Sequence, residues 1–197
     1  EYGNKLSSFG DISYRNGNNE RFEGNVGLGL GGAGAVLEGP FGKQITLIGS
    51  FRMSYLDIIA DALNAGGLPS YSDYQAKINY TPNQFNSFTF LLINGNSLYD
   101  RAKSDAVRSG EGSYGTVGNN QYTIGMNHRH IWSRNAFSNN SVSISLQKSN
   151  IGFFGVSSDS LLNGINDNYG TSHFRNVNHA RLFKNLSAIT GFEIHKR

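Results

Sequence analysis

From Tyr71 to Tyr80 apolar and polar residues alternate one for one: Tyr74, Ala76, Ile78 and Tyr80 fall on one side, Asp73, Gln75, Lys77 and Asn79 on the other. A repeat of two is the side-chain period of an extended strand, so the spacing predicts a strand with one apolar and one polar face. Thr81-Pro82-Asn83-Gln84 is turn chemistry, because proline presets φ and asparagine favours tight turns. A second strand follows, in which Phe88, Phe90 and Leu92 alternate with Ser87 and Thr89. Each arm has roughly ten residues, the length that crosses a bilayer as a tilted strand.

The same unit recurs along the chain. Arg21–Leu30 alternates Phe22, Val26, Leu28 and Leu30 with Arg21, Glu23 and Asn25. Gly31-Gly32 turns it into a strand over Ala33–Glu38. Gly39-Pro40-Phe41-Gly42-Lys43 predicts a tight turn, and Gln44–Met53 the next strand. Further strands are expected over Asn119–Trp132, Ser138–Lys148, Gly170–Leu182 and Ser187–Lys196, with tight turns at Ser133-Arg134-Asn135-Ala136 and Phe183-Lys184-Asn185. A short strand is expected around Phe9–Tyr14. Ser54–Ala65 changes period: Leu56, Ile59, Ala60 and Leu63 recur at helical spacing, and Gly66-Gly67 ends the pattern. Asn94–Gly118 and Asn150–Asn168 are polar, rich in Gly, Ser and Asn, and are expected to be long loops.

Tight turns at Pro40, Pro82, Arg134 and Lys184 thus alternate with long connections starting near Ser54, Asn94 and Asn150. Outer-membrane barrels have short periplasmic turns and longer extracellular loops. A soluble β-sandwich has no reason to place every long loop at one end. The expected fold is therefore all-β, an antiparallel meander of about nine strands forming part of a transmembrane β-barrel. A secreted carbohydrate-binding sandwich and a passive porin-like barrel are the alternatives.

Composition fits that expectation. Hydrophobic residues make up 38% and charged residues only 16% of the 197, below what a soluble core and surface use. A barrel needs apolar residues at every second position only, and its lumen accepts Ser, Thr, Asn and Gln. The formal charge of +3 is mild and its Lys and Arg are scattered, so no nucleic-acid partner is expected. The absence of cysteine removes disulfide frameworks, cysteine–zinc sites and thiol catalysis. No apolar run is long enough for a transmembrane helix, and no basic segment leads into an apolar one. The alternation runs on into His195-Lys196-Arg197, and the chain is expected to be a piece of a longer protein.

Candidate chemistry is thin. Gly27-Leu28-Gly29-Leu30-Gly31-Gly32 matches a dinucleotide fingerprint, but a strand and a turn follow it instead of a helix. No cofactor is expected. His128-Arg129-His130 sets two imidazoles on one face, without a third ligand in sequence, and that face also carries Ile124, Met126 and Trp132. His173, His179 and His195 look scattered, so no metal site is expected. Asp57 and Asp61 sit on one side of the expected helix, and Asp100, Asp105 and Glu111 lie in one loop, without the fixed separation that paired carboxylates need. No serine stands in a nucleophile elbow. No catalytic residues and no enzymatic activity are expected. Tyr55, Tyr99, Arg101, Arg108 and Tyr114 fall in the long connections, where binding residues concentrate, and are the candidates for contact with a small ligand.

Glu1–Ser8, Leu37–Lys43, Phe51–Asp57, Pro69–Tyr80 and Met126–Ser145, in that order, resemble stretches of the TonB-dependent outer-membrane receptors of the Bacteroidetes type. Glu1–Ser8 (EYGNKLSS) resembles the segment that closes the plug domain, and Leu37–Lys43 (LEGPFGK) the first periplasmic turn of the barrel. Phe51–Asp57, Pro69–Tyr80 and Met126–Ser145 resemble the strands that follow. The resemblance implies the end of a plug over residues 1–19 and the first part of a barrel of roughly 22 strands over 20–197. It implies a place in the bacterial outer membrane, among its lipids, and energised uptake of a scarce ligand such as a siderophore, cobalamin, glycan or peptide. The TonB complex would be engaged through a missing N-terminal part, since neither a TonB-contacting box nor most of a plug is present.

Overall fold

The computed structural model describes residues 12–56 and 67–197. Nine strands form a single antiparallel sheet in which each pairs with its sequence neighbours, the meander expected from the alternation. They are β1 (Glu23–Gly29), β2 (Gly32–Phe41), β3 (Ile45–Met53), β4 (Pro69–Asn83), β5 (Asn86–Arg101), β6 (Ser113–Ser133), β7 (Ala136–Gly155), β8 (Leu161–Phe183) and β9 (Leu186–Lys196). One short helix, α1 (Lys103–Arg108), lies between β5 and β6. The sheet is open, with β1 and β9 as its edges. The described strands do not divide into two packed sheets, so the sandwich alternative is not what forms.

Period two places whole rows of side chains on one face or the other. One row runs Leu47, Ile78, Phe90, Met126, Val142 and Phe174 across β3 to β8. The row beside it, on the opposite face, runs Thr46, Asn79, Thr89, Asn127, Ser141 and Arg175. This second face is cross-linked by polar side chains: Thr89 Oγ1 donates to Asn79 Oδ1 at 3.0 Å, Asn127 Nδ2 to Ser141 Oγ at 2.8 Å, and the hydroxyls of Thr123 and Ser145 meet at 2.9 Å.

Among the described residues nothing packs on the apolar face. Among the described residues Ala106 is the only buried apolar side chain. Ile124, Ile144 and Leu146, in the middle of the sheet, stay 61%, 51% and 54% exposed. The whole chain exposes 13937 Å², against about 9,200 Å² for a compact soluble protein of its mass. Burial of apolar surface, the dominant stabilising term in water, is therefore almost absent. What this sheet satisfies internally is its backbone.

Four of the five tight turns among the described residues fall at one end; the fifth, Leu30-Gly31 between β1 and β2, lies at the other. Three share a device: a bulge shifts the register just before the turn, between Tyr80 and Asn83, Ile131 and Ser133, and Arg181 and Phe183. In each, the freed N–H donates to a carbonyl of the neighbouring turn, Thr81 to Gln44, Ile131 to Phe85 and Arg181 to Asn135, all at 2.8 Å. In the first of them β4 runs through Thr81 and Pro82, so the turn lies later than expected. Asn83 Oδ1 then accepts from the N–H groups of Phe85 and Asn86, both at 3.0 Å. Likewise β2 continues through Gly39 and Pro40 to Phe41. Proline is tolerated there because β1 pairs no further than Glu38, leaving no ladder bond for the missing N–H to break.

The opposite end corrects two expectations. Asn94–Gly118 is not one loop: β5 reaches Arg101, β6 starts at Ser113, and only residues 102–112 connect them. Nor is Asn150–Asn168, where β7 and β8 leave only residues 156–160 between them. Pairs such as Asn166 with Asn150 and Asn96 with Asn120 continue the ladder without any apolar alternation to announce it. Strands of 21, 20 and 23 residues result, some 70 Å long at about 3.4 Å per residue. Residues 12–18 form no strand, against the one expected around Phe9–Tyr14, whose first residues lie outside the described part. The helix expected over Ser54–Ala65 falls mostly outside the described residues, as do Asp57 and Asp61.

Candidate functional site

The polar face is where the N-terminal segment lies. Glu38, Ile48 and Lys77 occupy one row of that face. Arg15 clasps Glu38 with both terminal nitrogens at 2.5 Å, and the Asn18 N–H donates to the same carboxylate at 2.9 Å. Lys77 Nζ reaches across to the carbonyl of Tyr14 at 2.5 Å. Residues 14–18 are thus strapped over β2 to β4 by charge-assisted bonds, the stronger kind.

Toward the loop end the same face carries two hollows. A hollow of about 650 Å³ is lined by Asn25, Val36, Ser50, Arg52, Tyr71 and Gln75. A smaller one of about 260 Å³, bordered by Tyr71, Asp73, Asn119, Gln121 and Gln147, adjoins it. Between them Arg52 pairs with Asp73 at 3.0 Å. Arg52, Tyr71 and Gln75 were not among the sequence candidates. The signal for them was the polar side of the strands themselves; attention to loops alone passes it over.

The five loop candidates do not converge. Tyr99 and Arg101 alternate onto the polar face of β5, and the Arg101 guanidinium carbon lies 5.8 Å from the Tyr99 ring centre while the same side chain pairs with Glu111. Gly67, at φ +79°, leaves room for both: an added Cβ would stand 2.7 Å from Arg101 Nε and 3.1 Å from the Tyr99 hydroxyl. Arg108 turns back to Asp105 within α1. Tyr55 donates to the Gly29 carbonyl at the far edge of the sheet. Tyr114 points away from Tyr99 and Arg101 by register. Its hydroxyl donates to Asp159 Oδ1 at 2.8 Å, and Lys103 Nζ donates to the same oxygen at 2.6 Å.

Asp159 therefore ties three elements together: α1 through Lys103, β6 through Tyr114, and its own β7–β8 connection. The bonds from Lys103 and then Tyr114 hold its carboxyl below the usual carboxylate range, and the Tyr114 phenol is raised in turn by donating to it. The backbone adds a link, Val156 N–H to the Gly112 carbonyl at 3.0 Å. The two connections after β5 and β7 thus form one cross-tied unit at the loop end of the sheet.

The histidines sort differently from expectation. His128 Nε2 and His130 Nδ1 both contact Asn86 Oδ1, at 3.0 and 2.8 Å. An amide oxygen only accepts, so each contact is a hydrogen bond in the tautomer that places the proton on that ring nitrogen. Their rings join an aromatic row: His128 stacks on Phe88 at 4.3 Å, Phe88 on Tyr80 at 6.0 Å, and His130 meets Trp132 edge-on at 4.3 Å. His173 and His195, which look scattered in sequence, are direct cross-strand partners, and Glu193 sits beside them. The turn at Lys184-Asn185 implies this hairpin. The bulge between Arg181 and Phe183 shifts its register by one residue, which sets His173 opposite His195.

Comparison of the chain with protein-family models, with characterised proteins and with solved structures finds no match.

Proposed function

We propose that this chain is part of an outer-membrane transport barrel of the TonB-dependent receptor type, taking up a scarce ligand. The carrying observation is the apolar face. It is exposed across the sheet and bounded by aromatic rows, Phe51, Tyr74 and Tyr122 toward the loops, and Tyr80, Phe88 and Trp132 toward the turns. From Tyr122 to Trp132 along β6 the rise is ~34 Å, or ~26 Å for a strand tilted by about 40°. That matches the ~25 Å lipid-facing band between aromatic girdles of such barrels. Water would leave this face unstable; lipid is the solvent it suits.

The strap of residues 14–18 on the polar face favours a plugged receptor over an open porin, because a lumen-facing segment entering from the N-terminal side is what the end of a plug would be. In this reading the open edges at β1 and β9 pair with further strands, since unpaired backbone is not tolerated at membrane depth. The tight-turn end is periplasmic. The ligand meets the other end, at the hollows around Arg52 and Tyr71 and the loop residues Tyr55, Tyr99, Arg101, Arg108 and Tyr114. The chain has no proposed catalytic role.

Nitroxide scanning of residues 141–147 in the intact barrel, reconstituted in liposomes, tests this reading; the chain's lack of cysteine makes single labels simple to place. Labels at 142, 144 and 146 should be relaxed by oxygen, which partitions into lipid, and those at 141, 143 and 145 by a water-soluble nickel complex. Uniform accessibility, or the opposite phase, would overturn it.

A further inference from the structure

The polar face of the β8–β9 hairpin carries a cluster apart from the loop-end hollows and the Asp159 tie. His173 of β8 and His195 of β9 are cross-strand partners with rings stacked at 4.3 Å, and Glu193 precedes His195 by two residues on the same face. Glu193 Oε1 lies 2.7 Å from His195 Nε2 and 3.2 Å from His173 Nε2. All three ligand-type atoms fall within 4.8 Å of one another. From these positions we propose that His173, Glu193 and His195 form a binding site for a divalent transition metal of the zinc class.

Three features make this more than proximity. Donor atoms around tetrahedral zinc, bonded at about 2.0–2.2 Å, stand ~3.4 Å apart, so shifts of about an ångström convert the present arrangement into a coordination shell. His173 Nε2 is enclosed yet makes no hydrogen bond, because the nearby carboxylate is not aligned with it. Glu193 is also divided in function: Oε2 faces Arg175 Nε at 3.7 Å, while Oε1 faces both imidazoles. A ligating carboxylate is commonly oriented by such an outer partner. Two imidazoles and one carboxylate are a ligand set used by zinc and by non-haem iron, with positions left for water or cargo. The Arg175 charge opposes a cation and limits the affinity, which suits a site that must release what it binds.

The site depends only on the register of one hairpin, not on membrane insertion, so its failure and that of the transport reading are separable. The test is titration of the intact, folded protein in detergent with Zn²⁺, and with Co²⁺ read by its visible absorption. One equivalent should bind saturably, and His173→Gln, His195→Gln and Glu193→Gln should each weaken binding by about tenfold or more. His179→Gln should leave it unchanged. In the unaltered protein, Zn²⁺ should protect His173 and His195 from carbethoxylation, mapped by mass spectrometry, which needs no variant to fold. Absence of saturable binding, protection confined to other histidines, or full affinity in the His173→Gln/His195→Gln double variant would each overturn the proposal.

Discussion

Ile124 of β6 and Ile144 of β7 stand directly opposite each other in mid-sheet, and both are more than half exposed. Two branched apolar residues facing open space on adjacent strands contribute little in water. In lipid they are the expected surface.

The sharpest consequence concerns neighbours in sequence. On the proposed barrel reading, Ile144→Arg puts a charge on the apolar face and should cost roughly 2–4 kcal/mol near the bilayer midplane, whereas Ser143→Arg points to the polar side and should cost far less. Urea titration of the intact barrel in micelles or vesicles measures both. Equal costs would count against the assignment of the two faces.

A second prediction uses the Asp159 tie. Its carboxyl is held below its ordinary range by Lys103 and Tyr114. A depressed carboxyl stabilises the fold wherever it is ionised, so the contribution is complete above the unfolded value near 4 and fades as pH falls through the lower folded value. Tyr114, raised by the same contact, behaves oppositely: its contribution is present below about 10 and is lost as pH climbs through its raised value. Limited proteolysis of residues 102–112 and 156–160 should therefore be slow near neutrality and accelerate at both extremes. Asp159→Asn should flatten the acid limb while leaving the strands protected.

Two glycines in β6 should behave differently. Gly115 has φ +146°, and an added Cβ would run into the Gly152 carbonyl of β7. Gly118 has ordinary backbone, and its nearest neighbours would be 3.8 and 3.9 Å from a Cβ. Gly115→Ala should carry about 1–3 kcal/mol of backbone strain in addition to the clash, and should speed hydrogen exchange at the β6–β7 ends. Gly118→Ala should leave exchange there unchanged or slower.

Much of this architecture was legible in the sequence wherever one face is apolar. The Tyr74–Tyr80 and Val142–Leu146 alternations gave face and strand at once, and turn residues at Asn83, Asn135 and Asn185 gave the meander. The signal failed where both faces are polar. Asn94–Ser97 and Asn163–Asn168 have strand geometry with little apolar alternation of their own; pairing with β4 and β7 holds them in the ladder. The site suffered from the same limit. Treating polar stretches as loops sent Tyr99, Arg101 and Tyr114 to mobile segments, when they stand on strands and alternate between faces. His173 and His195 needed the register, and one bulged residue decides it.

The corrected boundaries sharpen the last prediction, which separates the two ends of the sheet. Removing all of Asn94–Gly118 would cut into paired strand on both sides and could not isolate a recognition role. The segment to replace is Ala102–Gly112, with a short Gly-Ser linker. It carries α1, Arg108 and the Glu111 partner of Arg101, yet contributes only part of the cross-tied unit to the rest of the fold. If the proposed receptor reading holds, this exchange in the intact protein should weaken ligand binding by at least about tenfold while folding and insertion persist, since surface connections add little to the paired strands. Shortening the Asn83–Asn86 turn should do the reverse. There the Asn83 side chain holds two backbone N–H groups, and the Phe85 carbonyl accepts from Ile131 of the neighbouring strand. Loss of that turn should reduce the yield of inserted protein and leave the affinity of the surviving fraction intact. Heat-modifiability on gels reads insertion, and equilibrium binding to whole cells reads affinity. If the loop exchange left affinity untouched while the turn variant inserted normally and lost its ligand, the recognition end would have to be reassigned to the turns.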